Sequence, residues 1–228
     1  MFSLSPRLMT AASMINPCRK TVDIGTDHAF LPAFLVLNSK TEKVLACDIG
    51  IQPLENARKT VNQYSLQEKI ELRVSDGLKS VSPVEAQEIS ICGMGGTLMA
   101  QILSDAPWIK SEDIHLVLQP MTHCEDVRRF LRENGFVIDR EECVADNRHL
   151  YCCISAYWKN EQSVCEEGYF YFGELLSQDG LSREFVERQY NRIKKRRDAL
   201  AGSGRELEEA QKLSEVIDYY ERKQNSLH

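Results

Sequence analysis

The residues with the most chemistry to offer fall into five short groups. They are Asp23-x-Gly25-x-Asp27-His28, Asp48, Asp76-Gly77, Gly93-Met94-Gly95-Gly96 and Gln119-Pro120. Each follows a short run of apolar and β-branched residues. Gly25 would let the backbone approach a ligand closely. Asp48, at the end of its run, can accept both hydroxyl protons of a ribose. Asp76-Gly77 offers a side-chain oxygen and a backbone N–H to a purine. Gly93, Gly95 and Gly96 would open space for a flat ring, and Met94 could pack on it. Asp27 places a carboxylate close to the Gly25 turn, a poor site for a diphosphate unless a metal intervenes and a good one for a cation. His28 is the one histidine of the set, either a catalytic group or a hydrogen-bonded structural one. Each group also has a plain reading, as a tight turn, a helix cap or a loop feeding a helix. Their recurrence at successive strand ends is what carries weight.

Those groups need a scaffold that brings strand ends together, and the rest of the pattern supplies one. Residues 21–25, 43–48, 70–74, 89–92 and 116–118 read as strands. Between them lie amphipathic or apolar segments of helical period, including 31–37 and the segments carrying Leu54, Ala57 and Val61, then Leu98, Ile102 and Leu103, then Val127, Phe130 and Leu131. This alternation predicts an α/β fold with a mainly parallel sheet and helices on both faces. Ligands of such sheets sit outside the carboxyl ends of the strands. Residues 137–144 and 150–158 flank Asp146-Asn147-Arg148 and read as an antiparallel hairpin closing the sheet. At the other end, residues 4–15 read as a short amphipathic helix, with Ser5 as N-cap and Pro6 at its first position.

A polar stretch at 159–168 is read as a linker, dividing a domain at 1–160 from a second at 161–228. Beyond it the period is helical only. Val186, Ile193 and Leu200 mark one helix, Gly202-Ser203-Gly204 a break, and Leu207, Ala210, Leu213, Ile217 and Tyr220 a second helix. The two make a coiled-coil-like helical hairpin. The first truncation expectation follows: residues 1–160 should fold alone.

Composition narrows the class. Hydrophobic residues are 43 % and charged residues 27 % of 228, and the net charge is −6. That is an ordinary globular balance, and it argues against a chain coated for non-specific nucleic-acid binding. No apolar run is long enough to span a bilayer. No membrane contact is expected, and the residues before Ile15 lack a signal-peptide apolar block, so a cytoplasmic protein is expected. Eight cysteines with no C-x-x-C spacing read as small core residues, and no metal site is expected.

The loop Asp23-Ile24-Gly25-Thr26-Asp27 resembles the D-x-G-x-G-x-G loop of methyltransferases, with Asp27 and Ala29 where glycines are common. S-adenosylmethionine has no phosphate and carries a sulfonium cation, which suits that carboxylate. More specifically, Leu4-Ser5-Pro6-Arg7-Leu8, Asp23-Ile24-Gly25-Thr26-Asp27-His28-Ala29-Phe30-Leu31-Pro32, Gly93-Met94-Gly95-Gly96 and Leu118-Gln119-Pro120 resemble the bacterial tRNA (adenine-22 N1)-methyltransferase family, TrmK. The likeness runs over residues 4–158. It implies a Rossmann-like methyltransferase that uses S-adenosyl-L-methionine and modifies N1 of an adenine in tRNA. It also implies a helical C-terminal domain. Asp146-Asn147-Arg148-His149-Leu150-Tyr151 departs from the Glu-Asp-Gly-Lys-x-Tyr pattern associated with this hairpin, and Asp48 stands where some members have glutamate.

On this reading Asp27 and His28 are the catalytic candidates. Asp23, Gly25, Asp48, Asp76, Gly77, Gly93, Met94, Gly95 and Gln119 are the cofactor candidates. Arg7, Arg188, Arg192, Lys195 and Arg196 are the RNA-binding candidates, within a basic run that also includes Arg183, Lys194 and Arg197. The plain alternative for that run is a solvated helix face. Rival functions are a methyltransferase on another RNA or a small molecule, a nicotinamide-dependent reductase, and a non-catalytic nucleotide-sensing interaction protein. The reductase predicts a full G-x-G-x-x-G, which is absent.

Overall fold

A computed structural model describes residues 3–161, 164–178, 180–203 and 207–226. Seven strands form one sheet in the order β3-β2-β1-β4-β5-β7-β6. They are β1 (Cys18–Ile24), β2 (Thr41–Asp48), β3 (Ile70–Val74), β4 (Glu88–Gly95), β5 (His115–Thr122), β6 (Phe136–Asp146) and β7 (His149–Trp158). The first five run parallel. β7 pairs antiparallel with both β5 and β6. The expected Rossmann-like sheet with an antiparallel end is therefore present.

The strand ends differ from the sequence reading where glycine was taken as a stop. β4 continues through Gly93, Met94 and Gly95 with two register shifts against β5. Gln119 and Pro120 likewise lie inside β5. Gly93 takes φ +83, a left-handed conformation open to glycine. It can therefore make a bulge where most residues would end the strand.

Helices α1 (Pro6–Met14), α2 (Phe30–Leu37), α3 (Ile51–Gln63), α4 (Gly96–Ser104) and α5 (Cys124–Glu133) cover the sheet. Ser5 precedes α1 in extended conformation as expected, but its hydroxyl makes no cap bond. The C-terminal end of α1 is held instead by Lys40, whose Nζ donates to the carbonyls of Ala12, Ser13 and Ile15 at 2.8, 3.2 and 2.6 Å. The inner face of α1, through Ala11, Ala12 and Ile15, shares a core with Leu31, Leu35, Val117 and Cys153.

Beyond β7 lie α6 (Glu167–Phe172), α7 (Leu181–Ser203) and α8 (Leu207–Ser226). α7 and α8 pack as the expected pair. Val186, Ile193, Ala210, Leu213 and Ile217 are buried, while Leu207 is exposed. Of the break expected at Gly202-Ser203-Gly204, Gly202 and Ser203 instead continue α7, since a glycine weakens a helix without ending it, and Gly204 lies outside the described residues. α6 was not expected; its first two residues come from the stretch read as linker. Gly168 lies so close to Tyr219 of α8 that an added Cβ would meet the ring at 2.3 Å.

The C-terminal helices are also bonded to the sheet domain. Arg128 of α5 is fully buried. Its Nε donates to Glu141 Oε1 of β6 at 2.6 Å, and its Nη1 to the carbonyls of Phe170 and Tyr171 at 2.9 and 3.1 Å. Glu141 Oε2 accepts the Glu174 N–H at 2.7 Å. One continuous apolar cluster runs from Ile89 and Leu116 through Leu131 and Phe136 to Phe172, Val186 and Val216. A buried ion pair that loses one partner typically costs about 3–5 kcal/mol. A chain cut at residue 160 keeps both members of the pair but strips the buried guanidinium of the Phe170 and Tyr171 carbonyls and the Glu141 carboxylate of the Glu174 N–H, and it exposes this core as well, so the expectation that residues 1–160 fold alone meets a specific obstacle.

Candidate active site

The carboxyl ends of β1 and β4 frame a cleft of about 270 Å³, lined by Arg7, Asp23, Gly25, Asp27, His28 and Gly93 among others. Larger depressions of about 410 and 540 Å³ lie at the opposite edge of the sheet, around Lys20. Those are open hollows without a glycine turn.

Asp23 sits on β1 with its side chain buried. Ser90 of the neighbouring β4 donates its hydroxyl to Asp23 Oδ1 at 2.6 Å. Burial pushes the Asp23 carboxyl up to about 6, against the hydroxyls of Ser90 and Thr26, and the Asp48 charge adds to the rise. The next turn is tight. Gly25 adopts φ +75, and an added Cβ would lie 2.1 Å from Met94 Cε. Both conformation and space therefore call for glycine there. The N–H groups of Gly25 and Thr26 both donate to the Cys47 carbonyl, at 2.8 and 3.0 Å.

Asp27 follows with φ +43, a region that Asp and Asn tolerate better than most residues. Its N–H donates to Asp48 Oδ2 at 3.4 Å, while Asp48 Oδ1 accepts the Gly50 N–H at 2.9 Å. A carboxylate offers about four lone-pair sites, so Asp48 retains acceptor capacity for two hydroxyls. Asp27 Oδ2 lies 3.5 Å from His28 Nε2, and both side chains are exposed at the mouth. The His28 ring stacks on Phe30, with centroids 5.1 Å apart and planes 8° from parallel.

Arg7 enters from α1. Its Nη1 donates to Gln119 Oε1 at 2.9 Å, and its Nε lies 3.5 Å from Asp146 Oδ2. Arg7 thus lines the cleft, away from the helix carrying the other RNA-binding candidates. Gln119 is fully buried and also donates to the Pro120 carbonyl at 3.0 Å. It acts on Arg7 here. Met94 lies over Gly25. Asp76 is exposed, 2.6 Å from Lys79 Nζ. Beneath it Ser75 is buried and bonds the Gly77 carbonyl at 2.7 Å, fixing the turn. Gly95 pairs with Thr122 across the β4–β5 ladder.

Arg188, Arg192, Lys195 and Arg196 are exposed on α7. Arg188 pairs with Glu184, Arg196 with Glu209 of α8, and Arg192 bonds Gln189.

Sequence reasoning missed Ser90, whose only signal is a hydroxyl amid a strand. It also missed an apolar rim. Ile49, Ile51, Val74, Leu98 and Met121 are exposed large side chains at the ends of β2, β3, β4 and β5 or just beyond them. Their position directly after strand-ending residues was a usable signal. The site thus offers a buried carboxyl, a ribose-competent acid, apolar walls and a second carboxylate at the mouth. No lysine or arginine lies in the Asp23–Asp27 turn. This donor set fits a cationic sulfonium nucleoside and fits a diphosphate poorly. Among the described residues no group of three or more potential ligands could hold a metal, and no helix is long and apolar enough to cross a membrane.

Comparison with known proteins points the same way. Residues 4–154 match a family model described as a methyltransferase domain. The tRNA (adenine(22)-N(1))-methyltransferase of Bacillus subtilis is 31 % identical over 190 residues, covering 83 % of this chain and 77 % of that one. The crystal structure of the B. subtilis m1A22 tRNA methyltransferase TrmK superposes with a TM-score of 0.83 at 25 % identity, over 100 % of both chains. The M. capricolum TrmK, solved with the cofactor product S-adenosyl-homocysteine, gives a TM-score of 0.81 at 27 % identity, covering 96 % of this chain and 98 % of that one.

Proposed function

The chain belongs to the tRNA (adenine(22)-N(1))-methyltransferase family, and from that premise we propose a role for each side of its cleft. The reaction is S-adenosylmethionine-dependent methylation of N1 of adenine 22 in tRNA. S-adenosylmethionine supplies an electrophilic methyl group on a sulfonium. Asp23 and Asp48 hold its cationic and ribose portions, and the turn at Gly25 admits it to the backbone. Gly77, Gly93 and Gly95 keep the walls close, with Asp76 at the adenine end. Met94 presses on the Gly25 turn, and Gln119 acts through Arg7.

The acceptor dictates what the protein must do. N1 of neutral adenine has a free lone pair, so no proton is removed before attack. Positive charge then accumulates on the ring. The carboxylate of Asp27 at the cleft mouth is the group that stabilises it, increasingly so as the base excludes water. His28 orients Asp27 through their contact at 3.5 Å, and its ring, stacked on Phe30, offers a flat surface for the base. N1 lies on the pairing edge, so the nucleotide is extruded first. Holding N1 in line with the methyl carbon supplies much of the acceleration.

The observation that carries this reading is Asp27 itself, a carboxylate held in left-handed backbone at the mouth, bonded through its N–H to Asp48. The exposed cations Arg188, Arg192, Lys195 and Arg196 supply phosphate contacts, within a helical part spanning 161–228 that accompanies a methyltransferase part spanning 1–160. A tRNA substrate supports a cytoplasmic location for the protein. The test is incubation with methyl-labelled S-adenosylmethionine and two tRNAs that differ only by adenine or guanine at position 22. Label should enter the first alone, as N1-methyladenine. Equal labelling of both, or none of either, would overturn the assignment.

A further inference from the structure

The β6–β7 hairpin tip, Asp146-Asn147-Arg148-His149, has no part in the roles given so far. β7 runs antiparallel to β5, and Leu118 pairs with Ile154. The start of β7 therefore lies beside the carboxyl end of β5, on the edge of the sheet that holds the cleft. Asp146 pairs with His149, so Asn147 and Arg148 are the two turn residues. Asn147, at φ +55, reverses the chain there. Asp146 is buried, and its carboxylate is 3.5 Å from Arg7 Nε. Arg7 in turn lines the cleft. The tip is thereby tied to the site by a side-chain bridge. Two residues of extended chain span at most about 7 Å, so Arg148 stands close to that bridge.

The charge at this place is also distinctive. Arg7 offsets Asp146, which leaves Arg148 as uncompensated positive charge on a chain of net charge −6. Arg148 is exposed, with no ion-pair partner among the described residues. Several arginines of α7, by contrast, already engage Glu184, Glu209, Asp198 or Gln189. Beside Arg148, the exposed His149 ring lies 6.1 Å from that of Tyr151, an aromatic surface of the kind on which unpaired bases stack.

We propose that this hairpin tip grips the RNA backbone beside the extruded nucleotide, with Arg148 on a phosphate and the Arg7–Asp146 bridge fixing its height above the cleft. The inference rests on the tRNA-methylating function and adds the element that positions the substrate strand. An exposed guanidinium bonded to phosphate is worth enough to weaken binding about tenfold when truncated. It also displaces counterions, so its loss lowers the salt dependence.

The experiment uses the full chain, with Arg148→Ala, Arg148→Glu and Arg148→Lys. Dissociation constants for unmodified tRNA are measured from 50 to 300 mM salt, with KM and kcat for methyl transfer and affinity for S-adenosylhomocysteine. Arg148→Ala should raise the tRNA Kd and KM about tenfold and Arg148→Glu more, while kcat and cofactor affinity hold. The slope of log Kd against log salt should fall by about 0.7–0.9 for Arg148→Ala. Arg148→Lys should recover most of the affinity. Wild-type tRNA affinity and salt slope in Arg148→Glu, in an enzyme that methylates tRNA, would overturn the hairpin assignment alone. A wild-type protein that neither binds nor methylates tRNA would overturn the function beneath it as well.

Discussion

Replacing Asp27 with asparagine isolates charge from shape. Asn tolerates the left-handed backbone that Asp27 adopts at φ +43, whereas alanine would add backbone strain to the loss of charge. The N–H bond to Asp48 Oδ2 is a backbone bond and survives. What changes is one negative charge facing the ring that becomes cationic. At about 4 Å, such a pair is worth about 1 kcal/mol in a water-filled site and about 4 kcal/mol at an effective dielectric constant near 20. These limits correspond to about fivefold and about a thousandfold in rate. The Asp27 side chain is 60 % exposed in the open cleft, so the larger value requires the base to cover it. Removing a preorganised electrostatic group costs about two to three orders of magnitude in other enzymes, and that is the expected fall in kcat. Single-turnover methyl transfer with saturating tRNA measures it. S-adenosylhomocysteine affinity and melting temperature should barely move. A rate within about fivefold of wild type would mean that the charge stays solvated, and the role assigned to Asp27 would be refuted.

The buried Asp23 carboxyl titrates at about 6 in the free protein, and a cationic ligand favours its ionised form. Affinity for S-adenosylmethionine should therefore rise with pH through about 6 and level off above it; a flat calorimetric profile would contradict this. Arg128→Met should destabilise the protein by about 3–5 kcal/mol, lowering Tm by roughly 6–20 °C, and replacing Glu141 with Gln as well should restore part of it; a single-variant loss under about 1 kcal/mol would refute the structural role of the buried Arg128–Glu141 pair. Burial alone would lower the His115 pKa, but Asp139 and Glu88 outweigh it and hold it at about 9. The sign is that of a raised folded-state pKa: this stabilisation is fully present below the unfolded value near 6.5 and is lost as pH rises through 9. His115→Gln should remove that decline from the urea-unfolding profile.

The strand ends were legible because a parallel sheet gathers its functional residues at one edge, and because glycine and acid interrupt apolar runs. Asp23, Gly25, Asp27, His28 and Gly93 were picked out on that rule and line one cleft. The partnerships between remote residues were not legible. Arg128 sits in an arginine-rich helix that reads as amphipathic, and nothing in its periodicity marks it as buried against Glu141 and two carbonyls from α6. Gln119 and Arg7 are 112 positions apart, beyond any local pattern. α6 was missed because it is six residues long, two from the polar stretch and then Tyr169-Phe170-Tyr171-Phe172, a continuous aromatic run too short for helical period to show. Pattern reports which face of an element is apolar; it does not report which polar atoms on other elements will meet there.

The seat of Arg7 has a consequence for synthesis. The helix that carries it precedes the sheet in the sequence, and its anchors come from far later in the chain: Gln119, Asp146, and Cys153, whose thiol meets the Arg7 carbonyl across 146 positions. Lys40, which closes the other end of that helix, arrives early but only with the first crossover. At about 5–20 residues per second, the interval between the emergence of Arg7 and that of Cys153 spans roughly 7–30 seconds. Throughout that time the apolar face of α1 has no finished surface to cover. The nascent chain therefore cannot complete its cleft until the antiparallel hairpin has emerged, and a helix translated before every strand of the sheet is among the last elements to dock.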